Sequence, residues 1–320
     1  MRQHPKNSPV AFIYRWLAMV ALGFFATSAS AQVLTWDPSS NGGNPPASGN
    51  WDTATADWYN GSADMIWSQT SSTVPTTGAI FGGVDGTYAI NVATQVAATN
   101  IMINNSGYTF SGSGIFLENS ASTPGINVAA GKTATLACPI ASGNNANYFL
   151  VGAGSVLNIE NTMTSVQPHF LGAGTVNLSS SISPNVVYVD CGNLNFTSGT
   201  WVQGTGGVLY LGYSTAYGGT TSTTGALTVN GGTINDTGNK IVVCRGGGTG
   251  TLTLSSGAIN VWTAGIGTVS PNAIISIPNN DNNANHASLV VNGGVLTMGN
   301  SSYAAAIELM PGGSAAASQA

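Results

Sequence analysis

Asp236, Lys240 and Arg245 form the densest grouping of opposite charges in the chain. Such a trio suits a small anion-binding spot. With clustered carboxylates, calcium, or a Lys or Arg base it would suit cleavage of an acidic sugar chain. The other acids are scattered, so the bland reading of the trio is a solvated turn between repeats. His169 follows Pro168, and His286 follows an Asn-rich run from Asn279 to Asn285. Neither has a Ser or Cys nucleophile arrangement near it, and both read as surface loop residues. The Asn-rich run has only Asp281 as a carboxylate, too little hard-oxygen charge to hold calcium. The sequence singles out no catalytic residue, metal ligand or cofactor-binding residue.

Cys138, Cys191 and Cys244 recur at equal spacing. The equality suggests repeat-related positions, a ladder of small buried thiols. Three is an odd count and implies no disulfide framework, and no paired Cys/His grouping has zinc-ligand spacing. The phrase Gly152-Ala153-Gly154-Ser155-Val156 returns shortly afterwards as Gly172-Ala173-Gly174-Thr175-Val176, an interval that suits one coil. No helix pattern or Lys-Ser/Thr follows either copy, so they fit one turn of a repeat better than a phosphate loop. Tyr210, Tyr213, Tyr217, Trp201 and Trp262 are the aromatics that could line one side of a repeat and stack on sugar rings. Strand alternation turns Trp201 inward, which leaves Tyr213, Tyr217 and Trp262 as the candidate glycan-binding residues.

Something must position these residues, and the composition says what. The chain has 320 residues, 42% of them hydrophobic, 5% charged and 43 of them glycine. That is too apolar for disorder and too glycine-rich for helices, and it reads as an extended all-β protein. One phrase, Leu-x-Φ-x-x-Gly-x-Φ with Φ a large apolar residue, occurs four times: Leu194 to Trp201, Leu227 to Ile234, Leu252 to Ile259 and Leu289 to Leu296. The copies start at unequal intervals, all in the range in which stacked repeats are built.

Within the phrase the first Leu and the Φ two residues on share a face, while the last Φ falls at odd spacing. A corner is therefore expected at Gly199, Gly232, Gly257 and Gly294, with positive φ turning the chain inward. The alternative is a two-residue hairpin, with Leu227 opposite Ile234, which suits the Asn-Gly steps. It suits Thr197-Ser198 and Ser255-Ser256 poorly. Strand-corner-strand coils stacked in parallel are favoured, with an antiparallel hairpin-based β-sandwich or β-roll as the alternative fold.

Residues 1–31 have the form of a secretory signal peptide: Arg2, Lys6 and Arg15, an apolar run from Trp16 to Phe25, and Ala29-Ser30-Ala31 before Gln32. Past that leader, Lys132, Lys240 and Arg245 are the only strong cations against 11 acids. Nucleic acid and anionic lipid are poor partners for such a surface. No later segment is apolar enough to cross a bilayer as a helix. Residues 32–83 hold four of the seven tryptophans. They read as a cap that covers the first edge and core of the stack, in preference to an aromatic ligand platform. Residues 84–300 carry the repeats, and 301–320 fade into Ala, Gly and Ser without a clear cap, as expected of a truncated piece of a longer protein or of a chain released or held by a partner.

Trp36-Asp37, Gly49-Asn50-Trp51, Ile80-Phe81-Gly82-Gly83, Ser106-Gly107-Tyr108-Thr109-Phe110, Ala130-Gly131-Lys132-Thr133 and Gly172-Ala173-Gly174-Thr175-Val176 follow the leader in this order. Together they resemble bacterial exported proteins with autotransporter-associated β-strand repeats. The resemblance implies a right-handed parallel β-helix (β-solenoid) outside the cell, with no catalytic residues to carry over. The expected function is that of a non-catalytic structural or adhesin-like surface protein whose loops meet an extracellular ligand, a polysaccharide or a cell-surface component. A carbohydrate-binding module is the alternative, and a polysaccharide lyase or hydrolase a further one. No C-terminal translocating barrel or sorting anchor is visible. Any loop function is expected on the unequal insertions Gly204 to Thr224 and Gly265 to Asn285.

Overall fold

Short runs such as Ile126-Asn127-Val128 place two β-branched residues on one face and a polar one on the other, a pattern a half-buried strand satisfies. In the computed structural model Ile126 and Val128 are fully buried, with Asn127 between them partly exposed. The same alternation recurs along the chain, and no helix occurs among the described residues. These are 32–40, 42, 46–70, 77–118, 124–142, 146–165, 167–204, 206–213, 224–236, 240–245, 248–261, 273–277, 286–298 and 305–309. All belong to one unit, Ala31–Ala320. The expected leader, Tyr217, Trp262 and the run Asn279 to Asn285 lie outside the described residues.

The strands sort into three parallel ladders. The first runs through Thr77–Phe81, Ile101–Ile103, Ile126–Val128 and Ala146–Val151. It continues through the front halves of Gln167–Leu178 and Val186–Phe196, then Val208–Tyr213, Lys240–Arg245, Ala273–Ile277 and Ala305–Leu309. The second runs from Tyr88–Val92 through Tyr108–Gly112, Thr133–Leu136 and Val156–Ile159 to the back halves of the same two long strands. It ends on the front halves of Thr224–Asp236 and Thr249–Val261 and on His286–Val291. The third links Val96–Ala98, Ile115–Leu117, Ile140–Ser142 and Met163–Thr164. A bridge at Ile182 joins it to Thr200–Gln203, the back halves of Thr224–Asp236 and Thr249–Val261, and Val295–Met298.

From Thr77 onward the chain visits first, second and third ladder in turn and then begins again. Each circuit must lay its inward residues on those of the circuit before, and the core is one continuous apolar stack. Antiparallel pairing among the described residues is confined to Trp36 with Trp58 and Trp58 with Met65, next to their neighbours. The antiparallel sandwich or β-roll alternative is thereby overturned, and the Leu227–Ile234 hairpin with it. No helix among the described residues is long and apolar enough to cross a membrane.

The four copies of the phrase are aligned across circuits at their first and last positions, with a register shift between them in the second copy. Leu194 pairs with Leu227, Leu227 with Leu252 and Leu252 with Leu289; likewise Trp201 with Ile234, Ile234 with Ile259 and Ile259 with Leu296. The unequal spacings of the copies are circuit lengths. Gly199, Gly257 and Gly294 take positive φ of 89°, 82° and 74°. In the second copy the positive φ, 125°, falls on Gly231. Gly232 is required for a different reason: a Cβ there would run into the Phe196 ring.

Trp36, Trp51, Trp58 and Trp67 are fully buried and pack on one another, with ring centroids 5.2 Å apart for Trp36–Trp58 and 4.6 Å for Trp58–Trp67. Phe81 and Phe110 continue this stack into the first circuits. Rings so enclosed offer no face to a sugar.

Candidate functional site

In the first ladder Phe149, Phe170, Val189 and Leu211 are fully buried in the apolar stack. The residue before each, Tyr148, His169, Tyr188 and Tyr210, therefore projects on the opposite face, and register sets the four side by side. Their rings form a column. Centroids lie 4.5 Å apart for Tyr148–His169, 4.1 Å for His169–Tyr188 and 5.1 Å for Tyr188–Tyr210. The last two pairs are stacked, with interplanar angles of 19° and 14°. Tyr213 packs against both Tyr188 and Tyr210, at 5.4 and 5.1 Å. Its backbone N–H donates to the Asp190 carboxylate, which is buried beside the column.

This placement corrects the reading of His169 as a surface loop residue. It sits inside a strand, 5% exposed, because the strand Gln167–Leu178 is stacked between two others that each carry a tyrosine at the same position. Neither ring nitrogen has a hydrogen-bond partner, and burial pushes its pKa down to about 4. The imidazole is neutral at neutral pH and serves as a flat apolar ring. A signal for the column was present in the sequence. Tyr148-Phe149, His169-Phe170, Tyr188-Val189 and Tyr210-Leu211 each set a ring before a core residue at circuit-length spacing.

Of the expected glycan-binding residues, Tyr213 lies in this array, while Tyr217 and Trp262 lie outside the described residues. Trp201 is fully buried. The faces that Tyr188 and Tyr210 turn to each other are not open to a sugar ring, so the array works first as a staple between circuits. A polar counterpart runs along the second ladder. There Asn158 Nδ2 donates to Thr135 Oγ1 at 3.1 Å, Asn177 Nδ2 to Asn158 Oδ1 at 2.9 Å and Asn195 Nδ2 to Asn177 Oδ1 at 2.9 Å. Each bond ties one circuit to the next.

Asp236 is 2% exposed at the end of a third-ladder strand, and Lys240 and Arg245 open and close a first-ladder strand. His286 is exposed at the head of its strand, paired in register with Thr249. The ion pair recorded among the described residues joins Lys132 Nζ to Asp85 at 3.0 Å. With the Ser106 backbone N–H, it holds the Asp85 carboxyl below its ordinary pKa. Asp57 is raised by burial and then by the Asp52 and Asp37 charges. Among the described residues no group of three or more His, Cys, Asp or Glu is placed to hold a metal ion.

All three cysteines are buried. They do not form the ladder their spacing suggested. Cys138 follows a second-ladder strand, whereas Cys191 and Cys244 lie where first-ladder strands end. Circuit length varies: Val176 pairs with Leu194, whereas Leu252 pairs with Leu289 across a much longer circuit. A fixed interval therefore returns to no fixed position. Burial pushes the Cys138 and Cys191 thiols up to about 12. Both are apolar core atoms at neutral pH.

No protein-family model, curated protein or solved structure matches the chain.

Proposed function

We propose that this chain is an exported, non-catalytic structural or adhesin-like protein. In this reading it is a right-handed parallel β-helix that displays loops to an extracellular partner, a polysaccharide or a cell-surface component. The reading rests on one observation above others. Three ladders are visited in fixed rotation, and the side chains that point away from the core are spent on holding circuits together, as in the Tyr148–His169–Tyr188–Tyr210 column and the Asn158–Asn177–Asn195 ladder. A parallel crossover from one circuit to the next favours the right hand. The leader-like residues 1–31 and the resemblance to autotransporter-associated β-strand repeats support export and display.

The test is biochemical. Purified chain incubated with a panel of neutral and acidic polysaccharides should release no new reducing or unsaturated ends, and fractionated cells should carry it outside the cytoplasm. Turnover that disappears in Lys240→Ala or Arg245→Ala would replace the scaffold with an enzyme. Retention on an insoluble glycan, lost in Tyr213→Ala with Tyr217→Ala, would make it a carbohydrate-binding module.

A further inference from the structure

No residue from 32 to 131 carries a positive charge. The first Lys, Arg or His past the expected leader is Lys132, whose Nζ is already paired with Asp85 at 3.0 Å. The tryptophan-rich cap nevertheless holds Asp37, Asp52, Asp57 and Asp64. Two of these meet. The antiparallel ribbon that sets Trp36 opposite Trp58 brings Asp37 opposite Asp57 at its next step, where the Asp37 N–H donates to the Asp57 carbonyl oxygen at 2.8 Å. Residues directly opposite on such a ribbon have Cβ atoms about 5 Å apart, and like charges at that spacing repel.

Both carboxylates are also withdrawn from water. Asp37 is fully buried; its Oδ1 accepts from Ser39 Oγ at 2.8 Å, and its Oδ2 has no partner. Asp57 is 9% exposed, and its pKa is raised, first by burial and then by the Asp52 and Asp37 charges. Asp52 contributes charge alone. Its Oδ1 accepts from the Ala54 and Thr55 N–H groups at 2.8 and 2.7 Å, and its Oδ2 from Thr55 Oγ1 at 3.0 Å. An orphaned, buried carboxylate oxygen opposite a second buried carboxylate is costly unless a cation or a proton lies between them.

We propose that Asp37 and Asp57 bind a calcium ion that locks the N-terminal cap. Calcium takes oxygen ligands and accepts main-chain carbonyls and water beside carboxylates. Two aspartates therefore suffice, although no third His, Cys, Asp or Glu among the described residues is placed to join them. Zinc is a poor fit, since residues 32–131 contain neither His nor Cys. The ion turns a repulsion into a bridge. It ties the end of Gln32–Trp36 to the start of Trp58–Tyr59, directly beside the Trp36 and Trp58 side chains that fill the end of the core. No loop motif marks the site in the sequence, because strand pairing and not chain proximity brings the two carboxylates together.

The experiment is thermal unfolding of the purified full chain, stripped with a chelator and then titrated with calcium chloride at constant ionic strength. It is run on wild type, Asp37→Asn, Asp57→Asn and Asp85→Asn. Asp85, 54% exposed and paired with Lys132, serves as the control. Wild type and control should melt at rising temperature as calcium is added, because an ion held only by the folded chain stabilises it. Asp37→Asn and Asp57→Asn should each lose that shift while keeping the wild-type far-ultraviolet circular dichroism. A wild type that melts at one temperature whatever the calcium concentration would overturn the proposal and leave a shared proton between the two carboxyls. A shift that survives in either variant would overturn it as well, by placing the ion elsewhere. Should neither variant fold, hydrogen exchange on wild type decides. Calcium should raise the protection of the Trp36, Asp37 and Trp58 amides, and protection gained only outside residues 32–59, or nowhere, would contradict the site.

Discussion

Leu194 lies directly opposite Leu227 in a parallel pair, although a whole circuit of chain separates them. The same relation carries on to Leu252 and Leu289, so the recurring phrase is a spatial column of leucines and each interval between copies is one circuit. The aromatic column and the asparagine ladder follow from that alignment, since identical positions on successive circuits are neighbours.

Leu252 tests how far the circuits depend on one another. It is fully buried between Leu227 and Leu289, and Leu252→Asp would place an unpaired carboxylate there at a cost of about 4 kcal/mol or more. Hydrogen exchange should show loss of protection in Thr224–Asp236 and His286–Val291 as well as in the mutated strand, because stacked repeats are stabilised at their interfaces. Loss confined to Thr249–Val261 would argue against such coupling.

His169 predicts a pH dependence with a definite sign. Its pKa is lowered from 6.5 to about 4 in the folded protein. Its contribution is therefore complete above about pH 6.5 and is lost as pH falls towards 4, where the unfolded chain binds a proton that the folded chain refuses. The loss is about 3 kcal/mol by pH 4. Asp190, Tyr148 and Tyr188 face the same region and are common to wild type and variant, so the difference between the two isolates His169. Urea titrations should find His169→Phe close to wild type at pH 8 and more stable by about 2.5 kcal/mol near pH 4.5. Equal stabilities at both pH values would show that the imidazole is not held neutral in the column.

Two glycines with similar φ should respond differently to alanine. Gly131, at 71°, has open space where a Cβ would go, and Gly131→Ala should cost about 1 kcal/mol for the left-handed conformation alone. At Gly257, φ is 82° and a Cβ would overlap the Gly232 carbonyl oxygen of the circuit below. Gly257→Ala should cost about 3 kcal/mol or more by the same denaturation measurement. Equal costs would mean that the circuits are not packed backbone to backbone at this corner.

What could be read without coordinates follows a physical line. The Leu-x-Φ phrase was legible because inward apolar positions repeat once per circuit and the inward glycine corner is sterically demanding. The cysteine spacing misled because insertions such as the one before Thr224 change circuit length, so a constant interval carries no positional meaning. His169 was misjudged because its ring is held between Tyr148 on the circuit before and Tyr188 on the circuit after, both distant from it in sequence. Gly231 and Gly232 exchange roles for a local reason, a bulge between Val229 and Thr233 that single-strand periodicity does not register.

The most direct test of the parallel stack is a pair of engineered disulfides. Thr228 and Thr253 are opposite each other on neighbouring circuits, whereas Thr228 and Thr233 are the residues a hairpin would bring together. Mild oxidation of Thr228→Cys with Thr253→Cys should give an intrachain disulfide, identified by peptide mass spectrometry, because facing residues on adjacent strands lie within bridging distance. Thr228→Cys with Thr233→Cys should stay reduced under the same conditions. A bridge in the second pair and none in the first would contradict the stacked circuits on which the whole account depends.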